Sequence, residues 1–293
     1  ILWGLSIFAF ALLDVKLLES IFPAAAGAAL GITLTIVLDC VMTFFGSSAN
    51  DAAYNAWLTD STDESNRGSA EGINAMMPLV AILAVFGGFM AFDLNLSESW
   101  VTIFWVIGIL VIIIGVLGIF LISESTEKKE ENKNYFKNIV YGFRPSVVKN
   151  NKTLYVVFIA FALFGISIQV FMPYLILYYN VSLKMDNYVL IMAPAIIIAS
   201  IVTALYGRFY DKKGFKTAII PSVISLMLGY IVLYFFKNTA LVFIGSLLMM
   251  CGYLASTAVF GAILRDKTPD GKAGMFQGLR IVSQVLIPGI IGP

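Results

Sequence analysis

Nine runs of mainly apolar residues, most of them about twenty residues long or more, constrain this chain more than any other feature. They fall at roughly 1–13, 27–58, 69–92, 99–122, 153–179, 188–206, 216–236, 240–264 and 275–293. At 1.5 Å per residue, a helix of about 20 residues crosses the ~30 Å hydrocarbon core of a bilayer. Strands do not compete, because a long run without turn signals must satisfy its backbone hydrogen bonds within itself. Composition agrees. The 293 residues are 59% hydrophobic and 13% charged, against about 45–50% and about 25% in soluble domains, and mean hydropathy is +0.90. A water-soluble fold of this size could not bury that much apolar surface. Disordered, collagenous, coiled-coil and nucleic-acid-binding classes are excluded. The expected fold class is an all-α, multi-pass membrane protein.

The polar minority carries the remaining information. Histidine is absent, which removes His proton relays, His-ligated metals and Ser-His-Asp hydrolysis. No phosphate loop, metal-ligand cluster or nucleophile–base pair is present, so neither an enzyme nor an ATP-driven pump is expected, and no cofactor is. Cys40 and Cys251 lie within apolar runs and read as small buried hydrophobes. The 23 Phe read mostly as lipid-facing bulk. Ile1 lies in an apolar stretch without a charged flank, unlike a signal peptide; it reads as a point partway through a helix.

Charge placement sets orientation. One alternating set of loops holds fifteen of the nineteen basic residues: Arg67; Lys128 to Lys152; Arg208, Lys212, Lys213 and Lys216; and Arg265, Lys267 and Lys272. The opposite set holds only Lys16, Lys184 and Lys237, and Arg280 lies inside a run. Positive loops stay inside, so the first set is expected to be cytoplasmic. The polar stretch 123–152 among them reads as a linker between two helical bundles, 1–122 and 153–293.

Two of these loops repeat. Thr59–Asn74 (TDSTDESNRGSAEGIN) aligns with Arg265–Arg280 (RDKTPDGKAGMFQGLR) at an offset of 206. Asp60 matches Asp266, Thr62 Thr268, Gly68 Gly274 and Gly72 Gly278, with Glu64/Asp270, Glu71/Gln277 and Ile73/Leu279 conservative. The asparates can cap or face helix ends, and glycines four apart on one face permit close helix contact. Parallel repeats about an axis normal to the membrane mark two-bundle transporters.

A third loop, Gly207-Arg-Phe-Tyr-Asp211-Lys212-Lys213-Gly214-Phe215-Lys216, resembles the loop signature of the major facilitator superfamily. It departs from it at Phe215, where a basic residue is usual. Gly214 allows the tight turn, Asp211 can cap and pair at helix ends, and the lysines hold the inside orientation. In that superfamily twelve helices form two six-helix bundles. The resemblance implies helices 3 to 11 here, with helices 1, 2 and 12 outside this sequence. Residues 207–216 then join helices 8 and 9, and the repeated loops join helices 4 to 5 and 10 to 11.

A narrower resemblance lies at Asp51-Ala-Ala-Tyr54-Asn55-Ala-Trp57-Leu-Thr-Asp60, with Asp63 and Arg67 following. It is similar to the helix 4 segment of the glycoside–pentoside–hexuronide:cation symporters, the melibiose permease group. The Pro usual two residues after the Asp is Ala53 here. That group implies a monomeric inner-membrane symporter of bacterial type, taking up a small polar solute, a sugar, with Na⁺ or H⁺. A proton-driven drug or metabolite exporter on the same fold is the alternative. A non-transporting sensor would need a folded cytoplasmic domain larger than the linker.

Intramembrane charge costs about 2.5–3.5 kcal/mol at mid-helix, so each case asks for a reason. Asp51 lies nine residues, or about 13 Å, from Asp60, near mid-membrane, with Ser47, Ser48, Asn50, Tyr54 and Asn55 around it. It is the first candidate for binding a cation, a proton or sugar hydroxyls. Asp39 is three turns further out. Arg280 stands about one and a half turns into its helix with Gln284 one turn deeper, and Gln169 lies mid-helix beside Phe171, Pro173 and Tyr174. Amides and aromatics suit sugar faces. Glu71, at a helix start, reads as a favourable partner of the helix dipole. Pro78, Pro173, Pro194, Pro221 and Pro288 permit bending.

Overall fold

The computed structural model describes residues 1–13, 24–89, 92–93, 96–122, 140–185 and 188–292. Residues 123–139, most of the expected linker, lie outside them, as does Lys16. The described residues are helical. They form α1 (Leu2–Ala11), α2 (Ala24–Ser47), α3 (Arg67–Phe89), α4 (Ser97–Leu121), α5 (Pro145–Asn150), α6 (Lys152–Phe171), α7 (Val189–Lys213), α8 (Phe215–Phe235), α9 (Thr239–Lys267), α10 (Ala273–Ile281) and α11 (Ile287–Ile291). Non-α turns extend three of them. α2 runs through a π turn, Ser48–Tyr54, to Asp60; α6 runs through Met172–Tyr174 to a π turn at Tyr178–Ser182; and α10 joins α11 through a π turn at Val282–Leu286. Among the described residues, seven helices are long and apolar enough to cross a membrane.

The chain divides into two compact units, Ile1–Trp57 with Phe86–Thr126, and Leu58–Val85 with Glu127–Pro293. In the first, α1 packs on α4 through small residues. A Cβ on Gly4 would lie 2.6 Å from Ile112 Cγ1, and one on Gly115 would lie 2.8 Å from the Ile1 nitrogen. Glycine removes the obstacle, the backbones approach, and dispersion replaces a hydrophobic force that lipid cannot supply. Phe8 and Trp105 seal the contact, with ring centroids 4.4 Å apart. Elsewhere α4 exposes its apolar side chains, up to 80% at Phe120, as a lipid-facing helix does.

The second unit is organised around α9. Seventeen of its 29 residues are buried. α8 crosses it at glycines: a Cβ on Gly229 would lie 2.7 Å from Met249 Cα, and one on Gly252 would lie 2.6 Å from Leu226 Cα. Buried hydroxyls along this seam are partnered, as an apolar surrounding demands. Ser256 donates to Ser222 at 2.9 Å and Ser225 to the Leu248 carbonyl at 2.9 Å, and Tyr179 in the α6 extension bonds Ser246 on α9. Four phenylalanines are exceptions to the lipid-facing reading. Phe161 stacks on Phe260 with centroids 5.1 Å apart, and Phe158, Phe161, Phe260 and Phe276 are core residues, not lipid-facing bulk. Both cysteines are free; Cys40 departs from the buried reading in being exposed, and Cys251 is half-buried.

Gly214 carries the α7–α8 connection alone, at φ +75°, a conformation that favours glycine. The described end of the linker docks on α10. Tyr141 meets Phe276 edge-on, Lys272 Nζ donates to the Tyr141 hydroxyl at 3.0 Å, and the Tyr155 hydroxyl donates to the Gly142 carbonyl.

Because the α8–α9 seam has no room for a methyl group, Gly229→Ala and Gly252→Ala are each expected to cost about 1–3 kcal/mol and to lower the melting temperature in detergent. Gly289→Ala, whose Cβ meets nothing within 4 Å, is expected to leave it unchanged.

Candidate functional site

The repeated segments 59–74 and 265–280 meet at one end of the second unit, the end that carries basic loops. Segment 59–74 finishes the α2 extension, turns, and enters α3. The turn is set by Asp63, whose carboxylate accepts from the Ser65 hydroxyl at 2.5 Å and the Ser65 amide at 2.8 Å. Those bonds hold the Asp63 carboxyl below the usual carboxylate range. Segment 265–280 finishes α9, turns at Gly271 (φ +67°) and enters α10.

Glu71, one turn into α3, is 2% exposed, and Arg265 on α9 is 1% exposed. Arg265 Nε donates to Glu71 Oε1. Arg280 Nη2 on α10 donates to the same oxygen at 3.2 Å, and Asn74 Nδ2 donates to Oε2 at 3.1 Å. Arg265 Nη1 also donates to Thr59 Oγ1 at 2.6 Å. Gly261 makes room for the carboxylate, since a Cβ there would lie 2.7 Å from Glu71 Cδ. A buried ion pair offsets its own desolvation only when its remaining groups are hydrogen-bonded, and both oxygens of Glu71 are.

Two further contacts hold the start of α3. Asp211, in the loop signature at the end of α7, accepts from the Gly68 amide at 2.6 Å, the Ser69 amide at 2.9 Å and the Ser69 hydroxyl at 2.5 Å. It is an N-cap supplied from a different helix, placed where the helix dipole favours an anion. Gly68 and Gly207 make the approach possible, since a Cβ on either would run into the other's backbone. Asp266 accepts from Tyr210 at 2.5 Å and pairs with Arg67 at 3.4 Å.

The second site lies in the first unit. A cavity of about 250 Å³ is lined by Trp3, Met42, Thr43, Gly46, Ser47, Asn50 and Asp51. Asp51 sits in the π turn Ser48–Tyr54, and such turns concentrate at functional positions. Asn50 Nδ2 donates to Asp51 Oδ1 at 3.1 Å, and Asn55 Nδ2 donates to the Asn50 carbonyl at 3.0 Å. Tyr54 pairs with Trp57, centroids 6.0 Å apart. Asp39 is exposed and takes no part in the cavity lining.

Other candidate residues are placed apart from these. Gln169 on α6 packs against Gly292, where a Cβ would lie 2.5 Å from its own Cβ. Gln284 falls in the π turn after α10 and is exposed, whereas Arg280 is buried, so the wider turn separates two residues that an unbroken helix would stack. Lys212 is exposed, and Asp60 is exposed beside buried Thr59. The sequence reading assigned no site role to Glu71, Arg265, Thr59 or Asn74. The repeat register held the signal: Thr59 and Arg265 are 206 apart and bond each other, and Asn74 and Arg280 are 206 apart and bond the same carboxylate.

Comparison with known proteins places this arrangement. The family model described as Major Facilitator Superfamily matches residues 1–293. No curated protein and no solved structure matches the chain. The all-helical architecture, the seven long apolar helices and a family match over the whole sequence lead to one assignment. This chain is a multi-pass integral membrane protein belonging to the Major Facilitator Superfamily, whose members are transporters, not enzymes.

Proposed function

We propose that the protein is a sugar:cation symporter working by alternating access, with the Asp51 cavity as the substrate or coupling-ion site and Na⁺ or H⁺ as the coupling ion. The observation that carries this reading is the cavity itself. It joins one carboxylate to an amide, two hydroxyls and the Trp3 indole. Carboxylate and amide groups accept and donate to sugar hydroxyls, the indole offers an apolar face, and the carboxylate can hold a cation or a proton. Its volume, below the roughly 300–1,000 Å³ of drug-sized sites, suits a small polar solute better than an exported drug.

In this reading residues 1–122 and 153–293 are the two bundles, 123–152 joins them, and the basic loops face the cytoplasm. The start of α3 then belongs by sequence to the first bundle while Asp211, Arg265, Asp266 and Arg280 hold it from the second. These contacts form a lock on the cytoplasmic side that must break before substrate can leave inward. The contacts are discrete and polar, so the lock has two states, as a rocking mechanism needs.

Counterflow of labelled sugar into vesicles containing the full-length protein tests the site. A hydrogen bond to a charged group contributes about 1.5–3 kcal/mol, so Asp51→Asn is expected to weaken apparent affinity by about 10- to 100-fold and to remove the cation dependence. Unchanged cation-dependent uptake in that variant would sink the assignment, and proton-driven export without sugar counterflow would favour an exporter.

The lock is tested separately. Removing one partner of a buried ion pair costs about 3–5 kcal/mol, so Glu71→Gln is expected to lower the melting temperature sharply and to shift the protein toward its inward-open state, read by cysteine labelling from the cytoplasmic side. Arg67→Gln, at the longer and less buried pair, is expected to show the same shift at a fraction of the size.

A further inference from the structure

Beside the Glu71 centre lies a small slot whose polar lining is Thr59, Arg265, Thr268, Gln277 and Arg280. Gln277 is 7% exposed. Its Oε1 is buried and has no hydrogen-bond partner among the described residues. A buried amide oxygen left without a donor is costly, and such groups are ordinarily partnered by protein or by ordered water. The slot has room for one water-sized sphere, about 10 Å³, which is close to the least that a single water needs. It is also polar enough, because a buried water takes about three partners.

We infer that Gln277 holds one ordered water in this slot, bridging its Oε1 to the arginine centre around Glu71. The repeat explains why the position exists. Gln277 is the counterpart of Glu71 at the offset of 206, so the structure carries a carboxylate on one side of the repeat and a neutral amide on the other. The amide accepts a hydrogen bond without adding a second anion. A water is the smallest donor that reaches it, and it keeps the ion-pair centre solvated from within. The consequence for gating rests on the lock proposed above; the water site does not. A lock that already contains a water can break its ion pair without first leaving its charges bare, so losing the water is expected to slow opening.

Pulsed radiolytic labelling of the full-length protein, read by mass spectrometry, tests the water directly. Hydroxyl radicals formed at a bound water oxidise the side chains that touch it, even buried ones. Phe158 and Phe276 line the slot and are 5% and 2% exposed, while Phe161, 3% exposed in the same core, does not line it. Phe276 and Phe158 are expected to oxidise at least fivefold faster than Phe161; equal rates in the unmodified protein overturn the proposal without any variant. Gln277→Met keeps the side-chain length and removes the acceptor, and it should bring Phe276 down to the Phe161 rate. Gln277→Glu keeps an acceptor and should retain the label. Fast labelling that persists in a folded Gln277→Met protein overturns the role of Gln277. Uptake is the separate readout for the gate: a severalfold slower rate in Gln277→Met supports the coupling, and an unchanged rate with the label lost overturns the coupling alone.

Discussion

The buried carboxylate of Glu71 is the constraint on which the second unit depends. An ionised group at 2% exposure is tolerable only if opposite charge and hydrogen-bond donors converge on it. Those donors come from α3, α9 and α10, through Asn74, Arg265 and Arg280. One anion therefore fixes the relative position of three helices. The other contacts at the start of α3 follow from that placement. Gly68 and Gly207 can meet only because neither has a side chain, and Asp211 reaches the free amides of α3 only because they do.

Elsewhere packing does the work that charge does at this end. Lipid offers no hydrophobic drive for one helix to leave it for another, so association relies on close backbone approach and satisfied polar groups. Gly229 and Gly252 let α8 lie directly on α9. Hydroxyls that face the seam either bond across it, as Ser256 does with Ser222, or return to a carbonyl one turn back, as Ser222 does with Ile219 at 2.9 Å. Neither choice leaves a donor unpaired in an apolar surrounding.

The helices were legible in the sequence because a membrane allows so few solutions: each of the nine apolar runs corresponds to a helix in the structure, within a few residues at its described ends except for 188–206, whose helix runs on to Lys213 through most of the stretch read as a loop. The left-handed turn at Gly214 was legible for a similar reason, since few residues other than glycine suit it. Partners were not. A repeat shows that two segments are related, but not that Arg265 reaches across to Glu71, and an acidic residue in the first turn of a helix has an ordinary explanation in the helix dipole. The π turns left no trace either. An apolar run reads the same whether its hydrogen bonds close over four residues or five, so the placement of Asp51 in a widened turn, and the different exposure of Gln284 and Arg280, are visible only in the folded structure. Cys40 shows the converse: an apolar neighbourhood in sequence does not settle which face of the helix a residue occupies.

The divergence between the two copies has a physical logic of its own. A faithful repeat would place like residues opposite one another about its axis. Two glutamates or two pairs of arginines meeting there would repel in a poorly solvated space. Here the copies have become complementary. Thr59 stands where the other copy has Arg265, Asn74 where it has Arg280, and Glu71 where it has Gln277. At the Glu71 centre one segment contributes the anion with short polar side chains, and the other contributes both cations with an amide. Each cross-contact is then between a donor and an acceptor, as in Arg265 to Thr59 and Arg280 to Glu71. Related backbone positions thus bring the same two segments together, while unlike side chains make their meeting attractive.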